Sequence, residues 1–373
     1  MTARSGPLLD ERAARILLAR VAEPYDPRVQ ALVAEHGVLD LAGYLLRDGR
    51  TPDGTALDRF RPRLEQARTV DDEQICRALG LRLIVPDDDE WPVGVEDLEQ
   101  PPWCLWVRGP VGLDEIGDRA VSVVGARAST SYGDEVTMSL CHDLASRGFA
   151  IVSGAAYGID AAAHRAALGA GGVTVAVLAG GVDVPYPRAN ATLLGTIVER
   201  GAVVSETPPG GAPARMRFLA RNRVIAALGT GTVVVEASLR SGARNTVKHA
   251  RDLCRHVMAV PGPVTSQASA GAHQEIRMGA TLVTDAAEVA EVVGRIGQDL
   301  APVKQGDRRL EDELEPGLLR VWQWLHPHRS ASVDDLMLSS GLGAGEVMAA
   351  LADLELRGLA EQLLDGWKRG PLR

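Results

Sequence analysis

The stretch Ala120-Val121-Ser122-Val123-Val124-Gly125 is a short run of small and apolar residues that ends on a glycine. Its length and its β-branched residues are typical of a buried strand. Further runs of this kind follow, and helical patterns of about ten to fifteen residues separate most of them. They lie at 150–152, 173–178, 202–204, 232–235 and 256–260. This alternation predicts an α/β fold with a parallel sheet that helices cover on both faces.

The residues that follow these runs are candidates for a binding site, because ligands of parallel sheets bind outside the carboxyl ends of the strands. Glycines and arginines come directly after several runs, at 125–129, 153–160, 180–188 and 218–223. Glycine lets a ligand approach the backbone, and the N–H groups of a following helix attract anions. The sequence therefore predicts an anion site at one edge of the sheet. A dinucleotide fingerprint of the GxGxxG type does not follow the first strand.

The charge distribution is a second indication of an anionic ligand. The chain has 40 Lys and Arg against 49 Asp and Glu, a net charge of -9. Between Arg215 and Arg255, however, nine cationic residues stand with only two acids, Glu236 and Asp252. Arginine donates paired hydrogen bonds to phosphate and keeps its charge, so a basic segment in an acidic protein indicates a polyanion. The alternative is a solvated helix face whose arginine stems cover apolar surface.

Asp160 and His164 could form a catalytic or metal-binding pair, because residues four apart share a helix face. We expect a structural pair instead, since neither a third ligand nor a nucleophile is evident. The four cysteines form no CxxC pair, which argues against a zinc site and favours a reduced, cytoplasmic location. The sequence thus predicts no catalytic residue, metal or cofactor.

The regions on either side of the alternating pattern are helical. We predict a small helical domain, SAM-like, over 1–85, the sheet domain over 86–296 and a polar linker over 297–316. Residues 317–373 show three helices and a hairpin, the order of a winged-helix domain. Neither a signal peptide nor a membrane helix is expected, because no apolar run of the required length is present.

The motifs at the strand ends resemble those of the DprA/Smf family (DNA-processing protein A) of bacteria. The resemblance covers about 86–293 and follows the family's order. It is carried by 124–127, 153–160, 180–188, 205–206, 218–223, 235–237, 241–242, 259–262 and 279–280. It implies a Rossmann-like core that binds and protects single-stranded DNA and loads RecA recombinase onto it during transformation. It also implies a homodimer, and single-strand-binding protein is a further candidate partner.

On this basis we assign site residues to two surfaces. Those predicted to contact DNA are Gly125, Arg127, Ser153, Gly154, Gly180, Gly181, Arg188, Arg215, Arg217, Phe218, Arg221, Asn222, Arg223 and Arg244. Among them, Arg127, Arg188, Arg221 and Arg223 are expected to line one basic surface. Those predicted at the dimer and recombinase surface are His273, Gln274, Ile276, Arg277, Met278 and Leu282.

Two other functions stay open from the sequence. The first is a Rossmann-like nucleotide hydrolase. The segment 229–232, followed by Glu236, resembles the motif of nucleoside-monophosphate phosphoribohydrolases, which need a catalytic carboxylate. A transcription regulator led by the winged helix is the other. That module carries many acids, which makes a poor surface for duplex DNA, and we interpret it as a protein-interaction or regulatory unit. The first hypothesis remains a non-enzymatic binder of single strands.

Overall fold

The computed structural model describes residues 9–47, 49–304, 306 and 310–370. It divides into two units, Met1–Ala301 and Pro302–Arg373. The larger unit begins with α1 (Glu11–Val21), α2 (Pro27–His36), α3 (Val38–Leu46), α4 (Arg61–Ala67) and α5 (Asp72–Leu79). Aspartate side chains cap α1, α2 and α5: Asp10, for example, accepts a hydrogen bond from Ala13 N at 2.7 Å.

A nine-stranded sheet forms the centre of the larger unit. Its strands are β1 (Leu81–Ile84), β2 (Leu105–Arg108), β3 (Ala120–Val124), β4 (Ala150–Ser153), β5 (Thr174–Val177), β6 (Ala202–Ser205), β7 (Gly231–Val234), β8 (His256–Ala259) and β9 (Thr281–Leu282). Their spatial order is β1-β2-β6-β5-β4-β3-β7-β8-β9. Strands β3 to β9 are parallel to one another, and β2 pairs antiparallel with both β1 and β6. The predicted parallel sheet is confirmed.

The helices between the strands cover both faces of this sheet. They are α6 (Ser131–Ser146), α7 (Ile159–Gly169), α8 (Ala191–Arg200), α9 (Arg215–Leu228), α10 (Ala243–Asp252), α11 (Ala270–Arg277) and α12 (Ala286–Val293). One apolar core joins α9, α10 and α11 to the sheet, and another joins α6, α7 and α12 to the opposite face. The chain places β4 to β6 on one side of β3 and β7 to β9 on the other. The crevice between β3 and β7 is therefore the topological switch point, where such folds bind ligands.

Helix α9 is unusually deep for a helix that contains four arginines. Every residue from Ala220 to Leu228 is buried, including two of those arginines. The helix packs on the sheet with one side, while the helical segment before β1 lies against another part of its surface, where Arg217 contacts Glu23. The sheet and the helical segment together bury parts of α9 and so determine which of its arginines are exposed to solvent.

The boundary between the helical segment and the sheet falls inside a packed region. Ala19 of α1 belongs to the same apolar core as Leu81 of β1 and Trp106 of β2. The sheet begins at Leu81, before the predicted boundary at residue 86. The domain limits of the sequence analysis remain predictions.

The smaller unit contains α13 (Pro316–Trp322), α14 (Val333–Ser340) and α15 (Ala344–Leu356), followed by the hairpin of β10 (Ala360–Leu363) and β11 (Gly366–Arg369). Ser332 and Asp335 form a reciprocal capping box at the start of α14, and Gly341 ends that helix with a φ of 70°. This is the winged-helix order that the sequence predicts. No helix in the described ranges is long and apolar enough to cross a membrane.

Candidate nucleic-acid interface

A cavity of about 520 Å³ opens at the switch point of the sheet. The turn after β3, the first half of α9 and the loop after β7 form its walls. Three arginines, Arg127, Arg221 and Arg240, line it together with Asp160. The edge at which the sequence predicts an anion site therefore carries a concave surface with several arginines, and binding of an anion there stays a prediction. Arg240 belongs to it although the sequence analysis did not select it; its position in the loop directly after β7 was the available signal.

The ring of Phe218 belongs to the lining of this cavity. The ring of Tyr186 is 5.6 Å away between centroids, and the guanidinium carbons of Arg127 and Arg221 are 5.2 Å and 5.9 Å from the Phe218 centroid. These distances allow cation–π contact. We call Arg127, Tyr186, Phe218 and Arg221 the Phe218 cluster. Aromatic side chains are scarce in this chain, so the pairing of two rings with two arginines here is distinctive.

Arg221 is held by the last residue of β5 and packs closely against Gly154, which follows β4. Its side chain is 6% exposed, and Nη1 donates to the carbonyl of Val177 at 2.6 Å. Burial lowers its pKa to about 10, against the opposing charge of Asp160, so the guanidinium is still charged at neutral pH. A side chain on Gly154 would overlap the Arg221 guanidinium. The glycine is thus required for the position of the arginine.

Asp160 provides the counter-charge within the cavity. Burial raises its pKa, although Arg221 and the N–H groups of Ala156 and Gly154 act in the opposite direction. Its Oδ2 accepts from Ala156 N at 3.3 Å, which ties the loop to the first turn of α7. Asp160 therefore joins the loop to α7, and it also lines the cavity with the arginines.

His164 has the structural role that the sequence analysis expects. It is fully buried, with Nδ1 2.7 Å from Thr174 Oγ1. Because the Thr174 hydroxyl donates to the carbonyl of Ile151, its oxygen must accept from His164 Nδ1–H. Burial lowers the pKa of His164 to about 3, so the imidazole is neutral. Within the described residues, no group of His, Cys, Asp and Glu has the arrangement of a metal site.

Three other predicted DNA contacts are buried against the protein itself. Ser153 Oγ donates to the carbonyl of Val123 at 2.6 Å. Gly181 N donates to Gly211 O at 2.8 Å, and a Cβ on Gly180 would lie 3.0 Å from the same oxygen. These glycines let two loops pack closely, so the expectation that they admit a phosphate is not supported here. Gly125 does line the cavity, but a Cβ there would overlap Ile159.

Arg223 departs most clearly from the prediction. It is 2% exposed, and its Nη2 donates to Glu206 Oε1 at 2.5 Å. Burial raises the pKa of Glu206 despite this contact. The ring of Tyr25 lies 5.4 Å from its guanidinium carbon and covers it. The expectation that Arg223 lines the basic surface is therefore wrong for this structure, because the tertiary packing encloses it.

The remaining predicted contacts fall into paired and unpaired groups. Arg217 donates to Glu23, Arg244 Nε donates to the buried Glu275 at 2.5 Å, and Asn222 donates to Asn245 at 3.1 Å. Arg188 and Arg215 are exposed, and in the described parts of the chain neither forms an ion pair. Arg127, Arg188, Arg215 and Arg240 are thus the exposed cations of this edge.

Glu236, the carboxylate that a nucleotide hydrolase would use, is fully engaged. It is 1% exposed and accepts hydrogen bonds from Thr130 N at 2.9 Å and Thr130 Oγ1 at 2.6 Å. Gly133 approaches it so closely that a side chain there would overlap the carboxylate. Glu236 therefore anchors the start of α6, which argues against the phosphoribohydrolase alternative.

The predicted partner surface divides into buried and exposed residues. Ile276 is half-buried against the core under α11, and His273 Nε2 lies 3.0 Å from Gly262 O. Leu282 is exposed in β9, the edge strand of the sheet, and Arg277 and Met278 are exposed shortly before it. Gln274 is half-buried. Part of this segment is thus core, and the exposed part is continuous with a free sheet edge.

The model of the DNA recombination-mediator protein A family matches residues 82–294, and that of the DprA winged helix domain matches 305–366. A DNA processing protein DprA of Mycobacterium tuberculosis (strain H37Rv) is 46% identical over 362 residues, which are 94% of this chain and 92% of that protein.

Two solved structures share the fold. That of DNA processing protein A from Streptococcus pneumoniae has a TM-score of 0.63 at 30% identity and covers 77% of this chain and 99% of that one. That of DNA processing protein A from Helicobacter pylori, described for its single-stranded DNA binding mode, has a TM-score of 0.51 at 26% identity. It covers 56% of this chain and 94% of that one. The chain belongs to the DNA recombination-mediator protein A family, the DprA/Smf family of DNA processing proteins.

Proposed function

We propose that this protein binds single-stranded DNA at the carboxyl edge of the sheet, protects it and loads RecA recombinase onto it during transformation and recombination. The observation that carries the proposal is the Phe218 cluster, in which an accessible aromatic pair and two arginines meet at the switch point. The Helicobacter pylori relative, whose structural description concerns single-strand binding, supports it.

In this proposal the backbone and the bases of the strand have separate contacts. Arg127, Arg188, Arg215 and Arg240 are exposed along one edge and bind phosphates. Tyr186 and Phe218 offer π-faces on which bases stack without regard to sequence. Duplex DNA hides its base faces, so we expect preference for single strands and a steep salt dependence.

We propose that partner proteins bind the exposed part of the segment at β9. Met278 and Leu282 are apolar and exposed beside the polar Arg277, a composition that suits a protein contact. A homodimer formed there would place two DNA surfaces on one assembly, so that one strand gains avidity by engaging both. We propose RecA recombinase and single-strand-binding protein as further partners. We also propose that the protein acts in the cytoplasm and that it does not act as an enzyme.

The experiment is fluorescence anisotropy with single-stranded and duplex oligonucleotides over a salt series. We expect Arg127→Ala to weaken single-strand binding by about 1 to 3 kcal/mol, because it removes a charge-assisted phosphate contact. The slope of log K against log salt should become shallower by about 0.7 for the lost contact. Arg200→Ala is the matched control, since Arg200 is an exposed arginine at the end of α8, on the opposite edge of the sheet. Equal binding by both variants and the wild type would contradict the proposed surface.

A further inference from the structure

The loop between α1 and α2 reaches across to α9 and engages its cations. Glu23 in this loop accepts hydrogen bonds from Arg217 Nε at 2.8 Å and from Arg217 Nη2 at 3.0 Å. Arg63 of α4 contacts the same carboxylate through its Nη2. One carboxylate is thus held between two guanidinium groups, one from the helical segment and one from the helix that carries Phe218.

This carboxylate lies beside a second cavity, of about 500 Å³, between the helical segment and the loop 207–214. Arg20, Arg63 and Arg217 line the cavity. Arg20 is paired with Asp72 through two hydrogen bonds of 2.8 Å and 2.5 Å. Arg63 and Arg217 share the single charge of Glu23 in the contacts described, so this pair carries an excess positive charge toward the cavity.

We propose that Arg63 and Arg217 form a second phosphate-binding subsite, which Glu23 occupies when no strand is bound. A carboxylate and a phosphodiester both present two charged oxygens to the planar fork of arginine, so one can replace the other. The inference rests on the proposed function, because its ligand is the phosphate backbone of a single strand that continues past the Phe218 cluster. Arg217 directly precedes Phe218 in α9, which places the subsite next to that cluster along the helix.

Glu23 is suited to leave this subsite. Burial acts to raise its pKa, but the hydrogen bonds and charges of Arg217 and Arg63 outweigh burial and lower it, so the group stays ionised. Its side chain is 41% exposed, and it can return to water after a phosphate displaces it. A fully buried carboxylate such as Glu275, which also holds two arginines, would lack that route.

The conformation of the same loop supports displacement. Tyr25 has a φ of 61°, a left-handed value that is unfavourable for a bulky residue. Its ring contacts Arg223 and packs edge-on against His249 at 6.4 Å. The contacts of Tyr25 to α9 and α10 therefore hold the loop in a strained conformation. When the loop leaves α9, Tyr25 can return to a favourable backbone conformation.

The test is Glu23→Gln, which removes the charge and keeps the shape of the side chain. Binding is measured by anisotropy with two oligonucleotides, one of about 5 nucleotides that spans only the Phe218 cluster and one of about 30. We expect Glu23→Gln to bind the long strand about three- to tenfold more tightly at low salt, with a salt slope steeper by about 0.7. Binding of the short strand should not change. Glu11→Gln is the control, because it removes an equal charge from the same segment, where Glu11 pairs only with Arg15 of its own helix in the contacts described.

A second variant, Arg63→Ala, tests the subsite from the other side and truncates a side chain that is 43% exposed. It should weaken long-strand binding alone. The inference is overturned if neither variant changes the long-strand affinity or salt slope, if short and long strands respond equally, or if Glu11→Gln has the same effect. Failure of the proposed function differs from these outcomes: wild-type protein would bind neither strand, or Arg127→Ala would bind as wild type.

Discussion

The two sides of helix α9 use the same residue type for opposite purposes. Phe218 and Arg221 face the cavity at the switch point, while Arg223, two residues farther on, is enclosed with Glu206 under the ring of Tyr25. The sequence presents all of them as one basic motif. The difference shows that position in a cation-rich segment does not decide what an arginine contacts: Arg221 is buried but lines the cavity, whereas Arg223 is enclosed with its ion-pair partner.

The largest effect should come from breaking the buried side. Arg223→Ala leaves the buried carboxyl of Glu206 without its partner, and we expect a loss of stability of about 3 to 5 kcal/mol. Chemical denaturation measures this free energy of unfolding. Arg215→Ala, an exposed arginine of the same helix, should change stability by no more than about 0.5 kcal/mol. If the two variants have similar free energies of unfolding, the buried ion pair of Arg223 does not stabilise the fold more than an exposed arginine of the same helix does.

Phe218→Ala should have the next largest effect, on binding and not on stability. Loss of the ring removes a stacking face and the contacts of Arg127 and Arg221, so we expect single-strand affinity to fall by about 1 to 3 kcal/mol. Met216→Ala is the control, because Met216 is an apolar residue of the same helix that is 70% exposed. If both variants bind equally well, stacking at the Phe218 cluster does not contribute to affinity.

A smaller effect is expected from His164, which is buried and neutral, whereas Arg223 is buried and charged. The folded-state pKa of His164 is about 3, below its value in the unfolded chain, so the unfolded state takes up more protons as pH falls below about 6.5. Its contribution to stability is complete above that pH and decreases toward acid, by at most about 1.4 kcal/mol per pH unit.

His164→Gln isolates this contribution. The raised pKa values of Asp160 and Glu206 make stability increase as pH falls, but they do so in both proteins and cancel in the comparison. We expect the variant to lose less stability than wild type between pH 6.5 and 5.5. The measurement is the free energy of unfolding at the two pH values. Equal pH dependence in both proteins would mean that His164 does not titrate with a lowered pKa.

The sequence allowed accurate prediction of features that depend on local pattern. The alternation of short β-branched runs with helical segments identified the parallel sheet, and the glycines and arginines after β3 and within α9 identified the edge that carries the cavity. His164 could be interpreted as structural because no additional ligand accompanied it. These conclusions follow from periodicity and chemistry within short windows.

Other properties depend on contacts between distant residues. Residue type alone does not show that Gly154 is needed for Arg221, that Gly181 packs against Gly211, or that Glu236 anchors α6. Each pairs segments that are far apart in the chain. Arg240 follows β7 in the sequence, but the packing of that loop against the turn after β3 is what places it in the same cavity as Arg127.

The sequence by itself determined the α/β class, the strand order along the chain and the segment in which the cations concentrate. The tertiary structure alone decided which cations are open. Arg127 and Arg240 face the cavity, Arg223 is enclosed, and Arg217 is held by Glu23 from the helical segment. The physical reason is that exposure and pairing of a charge are set by the burial and partners that long-range packing creates, and a local sequence pattern contains neither.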